Sequence, residues 1–202
     1  MAQEIEKKYL ITTNIWRAIK CDKYFIKQGY LNNNKGQKVR VRVCVGVGGT
    51  LTVKGPGKII DGKIVREENE ENISEQMADN LLKHCSKILE KTRHVIFHNN
   101  TKIEVDEFHN LKKPLVVAEI EYNSTEQVLD IPQWLGSDVT GQSKFSNSRL
   151  INQVNNKQNP KIIRKKTNKI NKPKIKKIIK NKKPKLKKIK AKKSKAFTDV
   201  HI

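Results

Sequence analysis

Glu4, Glu6 and Lys8 follow one another at every second position near the start of the chain. The same spacing joins Arg40 to Arg42, Glu68 to Glu70, Glu104 to Asp106 and Glu119 to Glu121, with Lys54 on the segment after the arginines. In extended backbone, residues i and i+2 share one face. Each group therefore sets mostly like charges side by side, where they repel. A solvated strand face accounts for any one of these pairs. Their recurrence from Glu4 to Glu121, sorted by sign, points instead to faces turned toward a common interior. Carboxylates so spaced can hold a hard divalent ion, Mg2+ or Mn2+, through oxygen ligands. Arginines and lysines opposite them bind phosphate oxygens, Arg in bidentate fashion. A cavity offering both suits a polyphosphate that carries a metal.

The elements that must position these groups are strands. Residues 38–45 (KVRVRVCV) alternate charge and valine with period two. Segments 3–11, 24–31, 51–54, 65–73, 92–97, 102–108 and 115–122 continue the pattern, which predicts half-buried strands. Turn residues separate them at Asn32–Gly36, Gly48–Gly49 and Gly55–Gly57, and such a run of strands suggests a barrel or a sandwich. These glycines read as hairpin turns, because no GK[ST] follows in a strand–helix context. Glu67 and Glu71 leave open which residues of 65–73 face inward. Ser74 is placed to cap a helix running to about Lys87, with Met77, Leu81, Leu82 and Cys85 on one face. A turn or two at Ser124–Leu129 and a short helix at Asn147–Val154 complete a body of residues 1–155.

Most of the formal charge of +23 lies beyond that body. Residues 157–202 hold 20 lysines and arginines against one acid, Asp199, and no aromatic before Phe197. Such a stretch buries too little apolar surface to offset chain entropy, so 156–202 is expected to be a disordered basic tail. It suits non-specific contact with nucleic acid or polyphosphate, or nuclear targeting in a eukaryotic or viral setting. Cys21, Cys44 and Cys85 show no metal-ligand spacing and no disulfide framework. The charged start MAQEIEKKYL lacks an apolar leader, and no stretch approaches the ~20 apolar residues of a membrane helix. A soluble, intracellular, cytoplasmic protein is expected.

Glu4-Ile5-Glu6-Lys7-Lys8 resembles the ExExK motif of the CYTH domain, the triphosphate tunnel metalloenzyme superfamily. Gln28-Gly29-Tyr30-Leu31, Val39-Arg40-Val41-Arg42, Leu51-Thr52-Val53-Lys54 and Glu90-Lys91-Thr92-Arg93 follow in that family's order. So do Glu104-Val105-Asp106, Glu119-Ile120-Glu121-Tyr122 and the closing Lys144-Phe145-Ser146-Asn147, so the likeness spans about 2–152. It is nearest to the short bacterial-type members, which implies an eight-stranded antiparallel β-barrel tunnel with a few short helices. The resemblance implies a metal on Glu4, Glu6, Glu119 and Glu121, with Asp106, Glu68 and Glu70 as further carboxylates. It implies phosphate contacts from Lys8, Arg40, Arg42, Lys54, Arg93 and Lys144, and a water-activating pair, Lys91 and Tyr30. His94 departs from the aromatic that follows this run in relatives, and reads as a packing or tunnel-mouth residue.

The activity implied is metal-dependent hydrolysis of a triphosphate, inorganic or organic. A class IV-type adenylate cyclase would use the same groups to make cyclic AMP from ATP, and a polyphosphate or nucleic-acid binder would use them without chemistry. The absence of a recognisable nucleoside pocket favours hydrolysis, and the complete charge set favours an enzyme.

Overall fold

The computed structural model describes residues 2–31 and 38–155. The expected turn at 32–36 and the expected disorder of the basic tail lie outside the described residues.

Among the described residues nine strands form one antiparallel sheet: β1 (Ala2–Leu10), β2 (Asp22–Leu31), β3 (Lys38–Cys44), β4 (Gly48–Lys54), β5 (Lys58–Ile60), β6 (Lys63–Ile73), β7 (Leu89–His98), β8 (Thr101–Phe108) and β9 (Leu115–Glu121). Eight of them run in the order β1-β9-β8-β7-β2-β3-β4-β6, and β6 returns to β1, so the sheet closes. Closure satisfies the strand edges by pairing them. The eight alternating segments anticipated from sequence are these eight strands. β5 was not anticipated; it is three residues long and hairpins onto the start of β6.

Two apolar clusters lie on the outside of the barrel, which leaves the inside to charge. Val41, Val43 and the partly buried Leu51 meet helix α1 (Glu75–Leu82) through Ala78 and Leu82. Ser74 caps this helix, its Oγ accepting from Met77 N–H at 3.1 Å. The helix ends at Leu82, short of Lys87, and Met77 is half exposed, so Ala78 supplies the contact expected of Met77. Close approach requires Gly49 beneath it, because a Cβ there would lie 2.4 Å from the Ala78 Cβ. On the other side Ile5, Tyr9, Val65, Ile96, Ile103, Val105, Ala118 and Ile120 are covered by Trp16, Trp134 and Leu135. The covering segment holds to β1 through Gly136 N–H to Leu10 O at 2.9 Å and Val139 N–H to Lys8 O at 2.8 Å. Ser124–Leu129 contains bends and no helical turn.

A third cluster closes one end of the interior. Leu89, Phe108 and Val117 share their strands' faces with the charged groups farther along, and pack on Leu150, Ile151 and Val154. Leu150 belongs to helix α2 (Asn147–Leu150) and Ile151 to the 3-10 turn Ile151–Gln153, with Val154 directly after it, where the sequence predicted one short helix. An Asn155 N–H to Asn110 O bond of 3.0 Å fastens that segment across the barrel end.

Candidate active site: a charged cavity inside the barrel

Strand alternation decides which side chains line the interior. Glu4, Glu6 and Lys8 come from β1, Tyr30 from β2, Arg40 and Arg42 from β3, and Lys54 from β4. β6 adds Arg66, Glu68 and Glu70, β7 adds Arg93, β8 adds Glu104, and β9 adds Glu119 and Glu121. Together they surround a cavity of about 1430 Å3. Its rim is formed by Gly55-Pro56-Gly57 and by Ser143, Ser146 and Asn147 of the closing segment.

The charges are arranged as a network of exchanges. Glu4 accepts from Lys54 Nζ at 2.7 Å and from Arg66 Nε at 2.5 Å. Burial alone would raise the Glu4 carboxyl, but Lys54 and Arg66 outweigh it and hold the pKa near 2. Lys8 meets Glu119 at 2.7 Å, and Arg93 reaches the same carboxylate at 3.0 Å. Against burial, these cations keep Glu119 ionised well below the usual carboxylate range, and Glu119 and Glu6 hold Lys8 above the usual amine range. Arg40 donates to Glu70 at 3.2 Å and to Thr52 Oγ1 at 3.1 Å, while Thr52 donates to Glu70 at 2.6 Å.

Two groups are left electrostatically short. Glu6 and Glu121 face each other across the β1–β9 pair. Burial, then Glu119 and Glu4, push Glu6 up to about 7, and burial with Glu104 raises Glu121. Arg42 is the converse case: among the described residues it has no ion pair, and its Nε is buried without an acceptor. Burial, then Arg40 and Arg93, depress its pKa to about 10.

Four residues singled out from sequence do not line the cavity. Lys91 is wholly buried, its Nζ donating to Asp106 at 2.5 Å. Asp106 is also clasped by Arg93, through Nε at 2.8 Å and Nη2 at 2.7 Å. Asp106 thus stands behind the wall as the anchor of Arg93. Because Arg93 already neutralises it, Lys91 is a surplus buried cation; burial and Arg93 push its amine down to about 7. Lys144 is exposed, its Nζ 4.9 Å from the Phe145 ring centre. His94 points outward and meets Trp16 edge-on at 4.8 Å, as a packing residue does.

Arg66 was missed from sequence. It sits at the same parity as Glu68 and Glu70, and Cα pairing sets it opposite Glu4. The signal was available as an Arg-x-Glu-x-Glu run, but reading it required the register that Glu67 and Glu71 obscured.

Residues 2–145 match the family model of the CYTH domain. The chain is 35% identical over 153 residues to an inorganic triphosphatase of Acetivibrio thermocellus, a match that covers 75% of this chain and 94% of that one. Among solved structures it is similar to the inorganic triphosphatase NE1496, with 25% identity, a TM-score of 0.53, and coverage of 75% and 95% of the two chains. The fold is also shared with a putative adenylyl cyclase from Hippeastrum, HpAC1, described as having a dominant triphosphatase activity. That match has 16% identity and a TM-score of 0.51, and covers 61% of this chain and 81% of the other.

Proposed function

The chain belongs to the CYTH domain family, and from that premise we propose that it hydrolyses a phosphoanhydride bond of inorganic tripolyphosphate inside the barrel. One observation carries the reading: Arg42 lines the cavity with its Nε buried and without an acceptor, and no carboxylate stands within ion-pair distance of it among the described residues. A buried, unpaired cation is costly unless an anion joins it, and a phosphate group supplies one. Arg40, Lys54, Lys8 and Arg93 surround the same space as further phosphate contacts, and Lys144 approaches only from outside.

The cavity offers a nucleobase little to stack on. Of its two aromatic rings, Tyr30 packs into the apolar plug and Tyr122 lies beneath the Lys63 amine at 4.8 Å. This favours inorganic tripolyphosphate over ATP. The deciding measurement compares phosphate released from tripolyphosphate with cyclic AMP formed from ATP, each with Mg2+ and with Mn2+. Phosphate release is expected to dominate with either metal. Cyclic AMP as the main product would establish the cyclase instead, and no turnover of either would leave a binding protein.

The donor set fits a divalent metal. Glu4, Glu6, Glu119 and Glu121 offer only oxygens, on two adjacent strands, and at Glu6 and Glu121 burial and neighbouring carboxylates outweigh the nearby cations. Among the described residues no three Asp, Glu, His or Cys side chains converge enough to hold an ion unaided. Phosphate oxygens and water would complete the shell, as Mg2+ and Mn2+ commonly require. When bound, the metal supplies charge compensation to the phosphate oxygens. Glu68 and Glu70 are held by Lys54 and Arg40, which ties them to cation placement.

Hydrolysis needs water to attack phosphorus as the bridging P–O bond breaks, with the water's proton passing to a base. Lys91 is proposed as that base with Tyr30, which lines the cavity, orienting the water. The support is the Lys91 pKa near 7, which leaves half the amine neutral at neutral pH. A base must also reach the water, and Lys91 is screened by Asp106 in this state. We therefore expect kcat to rise through an apparent pKa near 7, and Lys91→Met to lose that limb and lower kcat more than it changes KM. A variant whose pH profile runs parallel to the wild type would instead assign Lys91 to holding Asp106 and Arg93.

Other parts of the reading rest on the sequence. The lysine-rich stretch beyond residue 156 is proposed to add salt-sensitive, non-specific affinity for nucleic acid or polyphosphate. No helix of the described residues is long and apolar enough to cross a membrane. Cys21, Cys44 and Cys85 are free thiols, which suits a reducing, intracellular setting.

A further inference from the structure

Resting on the reading that Glu4 and Glu6 receive a divalent metal, we propose that Arg66 is the chain's own competitor for that metal and sets its affinity. The guanidinium bridges the two carboxylates, Nε to Glu4 Oε2 at 2.5 Å and Nη2 to Glu6 Oε1 at 2.8 Å. Lys54 takes both oxygens of Glu4, at 2.7 and 2.8 Å. Three of the four oxygens of the pair are thus engaged by side-chain cations. A metal that binds there must displace Arg66 or share its acceptors.

The register makes this a fixed feature of the barrel. Glu4 and Arg66 are Cα partners across β1 and β6, so strand pairing itself delivers the guanidinium to the carboxylates. Arg66 is the one residue of its row that is positive, since Glu68 and Glu70 follow it on the same face. By pairing with both carboxylates, Arg66 offsets the repulsion between Glu4 and Glu6. A guanidinium displaced by a metal would still line the cavity, where phosphate oxygens could accept from it.

The test is a calorimetric titration of the full chain with Mn2+ alone, at pH 8 and fixed ionic strength. Removing one positive charge a few ångströms from a divalent ion shifts its binding strongly, and solvent at this partly exposed side chain moderates the shift. Arg66→Gln is expected to bind Mn2+ about tenfold tighter than the wild type or better. Arg66→Lys keeps the charge and is expected within about threefold of the wild type. Arg66→Met is measured as a second neutral variant, and whichever neutral variant retains the wild-type circular dichroism decides the matter. Unchanged or weaker Mn2+ binding by that variant would overturn the role of Arg66. Glu4→Gln and Glu6→Gln separate this from the underlying reading. If neither weakens Mn2+ binding, the metal does not sit on this pair and both proposals fall. If both weaken it while the neutral Arg66 variant does not tighten it, the metal site stands and the competitor is excluded.

Discussion

Glu6→Gln should lower tripolyphosphate turnover at least about a hundredfold while making the protein more heat-stable at pH 8. The two effects share one cause. Glu6 is buried, sits between Glu4 and Glu119 in its surroundings, and faces Glu121 across the strand pair. Burial first, then Glu119, lift its pKa to about 7, partly offset by Lys8 and Arg66. A carboxyl whose folded pKa exceeds its unfolded value opposes folding once ionised. Stability therefore rises as pH falls from above 7 toward about 4.5 and is level below that. Glutamine keeps the shape and an oxygen for Arg66 Nη2, but carries no charge at any pH. At pH 8 the gain should be about 1–2 kcal/mol, a few degrees in Tm for a domain of this size. At pH 5, where the wild-type carboxyl is mostly protonated in the fold, the difference should shrink. Melting curves at the two pH values and steady-state kinetics decide the case. A variant with normal turnover would remove Glu6 from the site, and one that melts earlier at pH 8 would contradict the charge-crowding account.

Asp106→Ala should be among the most destabilising single changes in the barrel, costing about 3–5 kcal/mol. With natural domains stable by only ~5–15 kcal/mol, the variant is expected to melt about ten degrees lower or to accumulate as insoluble protein. Asp106 is 1% exposed and lies between two buried cations, Lys91 and Arg93. Without it Arg93 retains Glu104 and Glu119, while Lys91 loses the only carboxylate within ion-pair distance among the described residues. Two pH signs follow. Against burial, Arg93 and Lys91 hold Asp106 below its usual range, so its contribution is present above pH ~4 and is lost on further acidification through its folded pKa. Lys91 is shifted the other way, to about 7, so the wild type gains stability as pH rises from 7 toward the unfolded value near 10.5. Removing Asp106 lowers the lysine further, so the part of the variant's deficit that comes from Lys91 should diminish as pH rises toward about 7 and change little above about pH 8. A double variant, Asp106→Leu with Lys91→Met, replaces a charged pair by apolar side chains and should recover much of the lost stability. If it melts no higher than Asp106→Ala, the stranded lysine is not the source of the loss.

Much of this was legible before any fold was known, because a strand has a period of two and a barrel has an inside. Alternation in KVRVRVCV, KIEVDEF and LVVAEIEY marks the strands, and the sign-sorted polar positions mark the face that cannot be ordinary solvent surface. Alternation says which residues share a face, but not how far along the barrel axis each one lies. That distance depends on strand register, and register separates the cavity from the plug: Lys91 and Arg93 share a face of β7, yet only Arg93 reaches open space. Likewise Glu104 lines the wall while Asp106, two residues on, is sealed behind it. Pairing between β1 and β6, strands more than 50 residues apart, places Arg66 against Glu4 and Glu6. Local pattern determines which side chains are offered to the interior. Long-range pairing and the packing of Leu150, Ile151 and Val154 into one end decide which charges face the substrate and which only hold those that do.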